Sequence, residues 1–204
     1  MKREIIGIDI DDVLSSQVDI LIEFSNNNYG TTLKHEDFKR PGEYWSYFEN
    51  LWDVDKEEAR RRYDEFLNNK YPLKQKVLKS TVEVINKLKK YYELHIVTSR
   101  GADYLDDTIE WLERHVPNVF KGVHFVDLWS NDNQKVTKAK ICKDIGAGYL
   151  IDDNLEHCNL AAEVGVHALL FGEFGWNLDK KPHPLVVAVS NWQEVLDYFE
   201  EKQV

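Results

Sequence analysis

Residues 4–14 read Glu-Ile-Ile-Gly-Ile-Asp-Ile-Asp-Asp-Val-Leu, EIIGIDIDDVL. A short apolar run ends in acids at Asp9, Asp11 and Asp12. This is the pattern of a strand buried on both faces of a parallel sheet, with carboxylates at its carboxyl end. Four further runs of the same kind follow: ELHIVTS over Glu93–Ser99, GVHFVD over Gly122–Asp127, GYLID over Gly148–Asp152 and VHALLF over Val166–Phe171. Helical patterns separate the later runs. Ser80 with Glu83 makes a capping-box signature ahead of Val82, Ile85 and Leu88. Asp103–His115 groups Leu105, Ile109 and Leu112, and Val136–Ile145 stops at Gly146, a C′ glycine. Leu155–Val164 is rich in Ala and Leu, and Asn191–Glu201 carries Val195, Leu196 and Phe199. Strand and helix in alternation predict an α/β fold, a doubly wound Rossmann-like parallel sheet.

The rhythm breaks between Ser15 and Gln75. Here the sequence offers helical pieces, Gln17–Asn26 and Asp55–Asn69, the second with Asp55 and Glu58 placed to cap it. Between them lies an aromatic cluster of Tyr44, Trp45, Tyr47, Phe48 and Trp52, and Pro72 marks the return. The reading is a core of residues 1–14 and 76–204, with a small helical insertion over 15–75.

The chain has 204 residues, 43% of them hydrophobic, and a formal charge of −10. That composition suits a globular chain with a full core and argues against disorder. The acidic balance argues against a nucleic-acid polymer as partner, which calls for a basic face. Two cysteines, Cys142 and Cys158, lack CxxC spacing and fit a reducing compartment. No apolar run approaches the ~20 residues of a membrane span. Acids stand where a signal peptide needs its apolar stretch, so a cytoplasmic location without membrane attachment is expected.

In open α/β sheets, ligands bind beyond the carboxyl ends of the strands. The residues there are Asp9, Asp11 and Asp12 after the first run, Thr98, Ser99 and Arg100 after the second, and Asp152 and Asp153 after the fourth. Lys135, Lys138 and Lys140 precede the fourth run. Carboxylate oxygens are what Mg2+ prefers, and its sites commonly share a substrate phosphate. A carboxylate can attack phosphorus and form an aspartyl-phosphate. A second acid two residues on can protonate the leaving oxygen and then activate water. Hydroxyls and an ammonium can hold the phosphoryl oxygens.

The order Asp9-Ile10-Asp11-Asp12-Val13, Thr98-Ser99, Lys138 and Asp152-Asp153 resembles the haloacid dehalogenase (HAD) superfamily of phosphohydrolases. The resemblance runs from Glu4 to about Asn177. It implies that Asp9 is the nucleophile and Asp11 the general acid/base. It implies Mg2+ on Asp9, the backbone carbonyl of Asp11 and Asp152, with Asp153 reaching it through water. Thr98, or its neighbour Ser99, and Lys138 would hold the phosphate. The insertion sits where that superfamily carries a helical cap, and the first, second and fourth motif strands would lie side by side. The pieces IDIDDVL, Pro72-Leu73, IVTSR, GYLIDD and FGEFGWN are also similar to the cytosolic deoxyribonucleotidase type of 5′-nucleotidase and its microbial relatives. This implies a small phosphorylated substrate, a nucleoside monophosphate, with cap aromatics such as Trp45 and Phe48 against the base. Asp12 and Arg100 depart from that type, where Gly and Pro are common.

Simpler roles compete with these. Asp12 can be a helix cap. The aromatics can be the core of the cap. Arg60, Arg61 and Arg62 can be a solvated helix face, whereas Arg100 is placed to touch substrate. Lys135 and Lys140 compete with Lys138. Sugar phosphates or other small phosphoesters are the alternative substrates. A phosphoryl-accepting receiver module shares the residue types, but its phosphorylated acid follows a later strand. A catalytically silent binding protein is a further alternative that intact acids at every motif disfavour.

Overall fold

The computed structural model describes residues 3–126, 136–178 and 180–202, except the side chain of Trp45. Six strands form one parallel sheet in the order β3-β2-β1-β4-β5-β6. They are β1 Ile5–Ile8, β2 Glu93–Thr98, β3 Gly122–Phe125, β4 Ala147–Asp152, β5 His167–Phe171 and β6 Val186–Val189. Strand β1 lies between β2 and β4, so the direction of winding reverses beside it. That reversal opens a crevice at the carboxyl ends of β1, β2 and β4. All of β1 is buried, which is why its sequence is a continuous apolar run.

One face of the sheet packs on α4 Thr81–Leu88, α5 Leu105–His115 and α8 Trp192–Glu201 through Ile85, Trp111 and Phe199. The other packs on α6 Lys138–Ile145 and α7 Leu155–Glu163 through Cys142 and Ala161. Gly7 permits the close approach of α6: a Cβ there would lie 3.1 Å from Val97 Cγ2 and 3.4 Å from Cys142 Sγ. Both cysteines are free and buried.

The insertion after β1 is helical. It holds α1 Gln17–Tyr29, α2 Tyr47–Trp52 and α3 Lys56–Asn68. Ser16 caps α1 by accepting from Asp19 N–H, and Asp55 caps α3 by accepting from Glu58 N–H. Its apolar residues make their own cluster, including Leu21, Phe24, Phe38, Trp52 and Phe66. The Phe48 ring stacks on Trp52 at 5.3 Å and on Tyr63 at 5.1 Å, between ring centroids. Trp176, from the loop after β5, completes this cluster and meets Tyr47 edge-on at 5.1 Å. Gly175 is required next to it, because a Cβ there would fall 1.8 Å from the carbonyl oxygen of Arg40.

Several local expectations change. Strand β6 was not foreseen; it is an edge strand with exposed residues, lying just beyond Pro182 and Pro184. Ser80 does not cap α4 with its side chain: its φ of 65° carries the hydroxyl away from the first turn. The buried stripe of α4 is Thr81, Val84, Ile85 and Leu88, while Val82 is exposed. In α5 the buried residues are Thr108, Trp111 and Leu112, and Leu105 faces solvent. Arg60 and Arg61 pair with acids on an exposed face, but Arg62 is half-buried with its guanidinium 4.1 Å from the Tyr29 ring centroid. Asp127 and Lys135 lie outside the described residues.

Candidate active site

Asp9 follows β1 directly, and its N–H donates to Ile151 O at 3.0 Å, so β4 sets its position. The chain then makes a tight turn in which Leu14 N–H donates to Ile10 O at 2.9 Å. Asp12 has a φ of 56° in this turn and accepts from Val18 N–H at 3.0 Å. It therefore supports the start of α1.

Lys138 opens α6 behind the Thr137 cap and is buried. Its Nζ lies 2.9 Å from Asp9 Oδ2 and 2.7 Å from Asp152 Oδ2. Asp152 ends β4, and its Oδ1 accepts from Asn154 N–H at 3.0 Å and faces His157 Nδ1 at 3.3 Å. One carboxylate oxygen from each of Asp9, Asp152 and Asp153 falls within 4.8 Å of the others. Asp9 Oδ1 is buried and has no hydrogen-bond partner among the described residues. A buried carboxylate oxygen left this way is costly unless a cation meets it. The donor set is all oxygen, which suits a hard divalent cation. The residues present therefore fit a metal ion.

Thr98 ends β2, fully buried, and its Oγ1 accepts from Arg100 N–H at 3.2 Å. Ser99 Oγ is buried without a partner among the described residues. Arg100 grips Asp11 with both oxygens, Nε to Oδ2 at 2.8 Å and Nη2 to Oδ1 at 2.7 Å. The guanidinium expected at the substrate is thus spent on Asp11 in this structure. Gln75 joins the same group, with Nε2 donating to Asp11 Oδ1 at 2.9 Å.

Burial and charge crowding set the ionisation of these acids. Burial lifts Asp9 to about 6, opposed by Lys138 and helped by Asp152 and Asp11. Burial likewise takes Asp153 well above the usual carboxylate range, with Asp152 and Asp9 adding to it. Asp12 rises to about 8, chiefly through burial, against its backbone hydrogen bonds. Asp11 also loses solvent, but the Arg100 guanidinium more than offsets this and holds it low. Asp152 reaches about 2 because Lys138 and His157 outweigh its burial. The two acids raises Lys138 feels, from Asp152 and Asp9, overcome its own burial and keep it charged. The cluster is short of positive charge, the condition a bound cation relieves.

From the helical insertion, Tyr44 is half-buried and its ring meets the His157 ring edge-on at 6.2 Å between centroids. Its phenol is pushed well up by burial and by Asp153, Tyr63, Asp9 and Asp152. Tyr63 is raised by burial and by Asp11, against Arg100. Phe48, a sequence candidate for substrate contact, is stacked in the cap cluster. The side chain of Trp45, the other candidate, lies outside the described residues. Gln75, Tyr63 and His157 were missed. His157 stands five residues after Asp152 on α7, a spacing that could have flagged it; Gln75 carries no local signal.

The sheet order, the helical insertion after β1 and the strand-end acids match the haloacid dehalogenase class of hydrolases. Solved structures agree. A haloacid dehalogenase-like family hydrolase from Streptococcus pneumoniae shares 17% identity at a TM-score of 0.67, covering 97% of this chain and 98% of the other. A structure described as a predicted phosphatase from Clostridium acetobutylicum shares 15% at 0.69, covering 98% and 100%. One described as HAD-hydrolase YfnB of Bacillus subtilis bound to magnesium shares 14% at 0.56, covering 97% and 99%. At these identities the likeness is one of fold. The chain belongs to the family described as 5′ nucleotidase, deoxy (Pyrimidine), cytosolic type C protein, whose profile matches residues 3–203. No match was found among curated proteins. Among the described residues no helix is long and apolar enough to cross a membrane.

Proposed function

We propose that this phosphohydrolase is a Mg2+-dependent phosphomonoesterase acting through a phosphoaspartate on Asp9, and that its substrates are nucleoside or deoxynucleoside 5′-monophosphates. The observation that carries the reading is Asp9 itself. One of its oxygens is held by Lys138, and the other is buried without a partner among the described residues, beside Asp152 and Asp153. Asp9, the backbone carbonyl of Asp11 and Asp152, with Asp153 behind them, would hold Mg2+, which when bound offsets the repulsion between a carboxylate and a phosphate.

The side chains then divide the work. Asp9 attacks phosphorus and the bond to the ester oxygen breaks; Asp11, held as a carboxylate by Arg100 in this structure, must leave that pair and take up a proton before it gives one to the ester oxygen. Asp11 next takes a proton from water, the water oxygen attacks phosphorus, and phosphate leaves with Asp9 restored. Thr98, Ser99 and Lys138 hold the phosphoryl oxygens. The insertion over 15–75 acts as the cap that excludes water and meets the leaving group, with its aromatics against the base. The nucleotide reading is supported by the family and by the aromatic residues of the insertion, of which Tyr44 and Tyr63 feel the charges of the acid cluster. A panel of nucleotides, sugar phosphates and phosphoglycolate, each with Mg2+ and with EDTA, tests it. We expect kcat/KM for the preferred nucleotide to exceed every sugar phosphate by tenfold or more. Sugar phosphates turned over far faster than all nucleotides would reject the substrate class while leaving the chemistry.

The acid cluster also sets a pH dependence. Asp9 has a folded pKa of about 6 against an ordinary value of 3.8. A carboxyl raised on folding stabilises nothing at high pH: below about pH 4 both states are protonated, and stability falls as pH rises towards 6. We expect the Tm of EDTA-treated protein to drop across that interval, and Mg2+ to restore far more at pH 7 than at pH 4.5. A Tm in EDTA that climbs steadily from pH 4 to 7 would contradict this assignment.

A further inference from the structure

The stretch Phe171–Asn177, FGEFGWN, leaves the end of β5 and has no part in the chemistry above. It is braced along its length. Gly172 turns the chain with a φ of 79°, and its N–H donates to Val189 O at 2.8 Å, so β6 holds the start of the loop. The Phe174 ring stacks on Trp176 at 4.5 Å between centroids, with the ring planes 3° apart. The backbone then closes a short turn, in which Asn177 N–H donates to Phe174 O at 3.1 Å and Leu178 N–H to Gly175 O at 3.3 Å. Trp176 is buried, which anchors the far end.

This loop brings two donors to one carbonyl of the acid cluster. Asn177 Nδ2 donates to Asp153 O at 2.6 Å, and Trp176 Nε1 donates to the same oxygen at 3.3 Å. The other end of the Asn177 amide serves the next element. Its Oδ1 accepts from the N–H of Leu155, the first residue of α7, at 2.9 Å. One side chain therefore spans the turn from Asp153 to Leu155, where β4 passes into α7. An amide suits both ends at once, since it offers a donor to the carbonyl and an acceptor to the N–H. Two of the three acids that fit a metal ion hang on this turn. Asp152 ends β4, Asp153 follows it, and one oxygen of each lies within 4.8 Å of an Asp9 oxygen. Carboxylates buried this close repel one another, so their spacing needs a restraint from outside the cluster.

We infer that Asn177, assisted by Trp176, is a positioning residue that holds the Asp152–Asp153 turn in the arrangement a divalent cation requires. The inference rests on the Mg2+ reading above, and it concerns the hold on the cation rather than the chemical step. Asn177 reaches the carboxylates only through the main chain of Asp153 and Leu155. Without it the turn keeps the longer Trp176 bond to Asp153 O, and the Leu155 N–H loses the acceptor it has here. The turn then relaxes under the repulsion of its own acids, and the oxygens no longer converge. Partners of this outer kind are commonly worth about 10–100-fold in metal affinity.

The test is metal affinity in the full-length protein, measured at a temperature where each variant is folded by circular dichroism. Mn2+ shares the preference of Mg2+ for oxygen ligands and serves as the probe, with the free ion counted by EPR. Asn177→Leu keeps the bulk and removes both hydrogen bonds. It is expected to raise the Kd for Mn2+ at least tenfold. Trp176→Phe keeps an aromatic ring against Phe174 and removes only the longer bond, and is expected to raise the Kd at least twofold. Mg2+ added in competition should displace Mn2+ and show the same order of variants. A merely structural role would lower the metal-free Tm and leave the Kd at the wild-type value. That result in Asn177→Leu overturns the positioning role and leaves the Mg2+ reading standing. Should Asn177→Leu fail to fold, Trp176→Phe decides by the same Kd, and an unchanged value there overturns the inference. A wild-type protein that binds neither Mn2+ nor Mg2+ overturns the metal reading, and the inference with it.

Discussion

Asp9→Asn is expected to lower kcat by about 10⁴-fold or more, since loss of a nucleophile removes the covalent route rather than weakening it. The substitution changes shape very little. The amide oxygen can still accept from Lys138, so the fold survives. Stability should move the opposite way from activity. The Asp9 carboxyl is destabilised by burial and by the neighbouring acids, which is why its pKa rises to about 6. A neutral amide escapes that penalty, so the metal-free variant should melt higher than wild type near pH 7. Phosphatase assays beside thermal melts in EDTA check both halves. Full Mg2+-dependent turnover in Asp9→Asn would rule out the phosphoaspartate. A lower Tm in EDTA would show that the charge on Asp9 is needed by Lys138 more than it is resisted by Asp152 and Asp11.

Lys138→Met is expected to remove about 3–5 kcal/mol from the stability of the metal-free protein, the usual cost of leaving a buried charge without its partner. The Lys138 ammonium lies within 3 Å of both Asp9 and Asp152, at 2.9 Å and 2.7 Å, and both acids are buried. Without it, among the described residues Asp152 retains the Asn154 N–H and His157, and Asp9 retains no cation. Mg2+ should therefore recover more stability in Lys138→Met than in wild type, because the added cation answers a larger excess of negative charge. Denaturant midpoints with and without Mg2+ measure this. Equal midpoints for variant and wild type in EDTA would mean that the acids protonate and dispense with the lysine. Activity should fall as well, since the same ammonium is placed to hold a phosphoryl oxygen. A variant that melts like wild type yet loses activity would separate the two roles.

How far the site was legible differs from residue to residue. Asp9, Thr98 and Asp152 stand at the ends of apolar runs, and a parallel sheet brings the ends of adjacent strands together, so position in sequence implied position in space. Lys138 was one of three lysines in a polar stretch. Its place between Asp9 and Asp152 depends on where α6 begins, and the Thr137 cap decides that. Arg100 was read as a substrate contact because it follows the hydroxyls. In the structure it pairs with Asp11, a carboxylate 89 positions earlier in the chain, a contact that its place after the hydroxyls does not announce. Gln75 and Asp11 are 64 positions apart, and no periodicity or motif links them. The aromatics of the insertion were recognisable as a group, but their stacking order and the arrival of Trp176 among them were not.

The sequence by itself determined the strand runs, the break in rhythm after the first strand, and the acids that stand at strand ends. These follow from local pattern, because buried parallel strands demand continuous apolar residues and leave polar ones at their termini. Tertiary structure alone decided which charges pair, which hydroxyls and carboxylate oxygens are left without partners among the described residues, and how Gln75 reaches Asp11. Such contacts join distant segments. They depend on strand order, helix starts and the path of two linkers, none of which is encoded within a window of neighbouring residues.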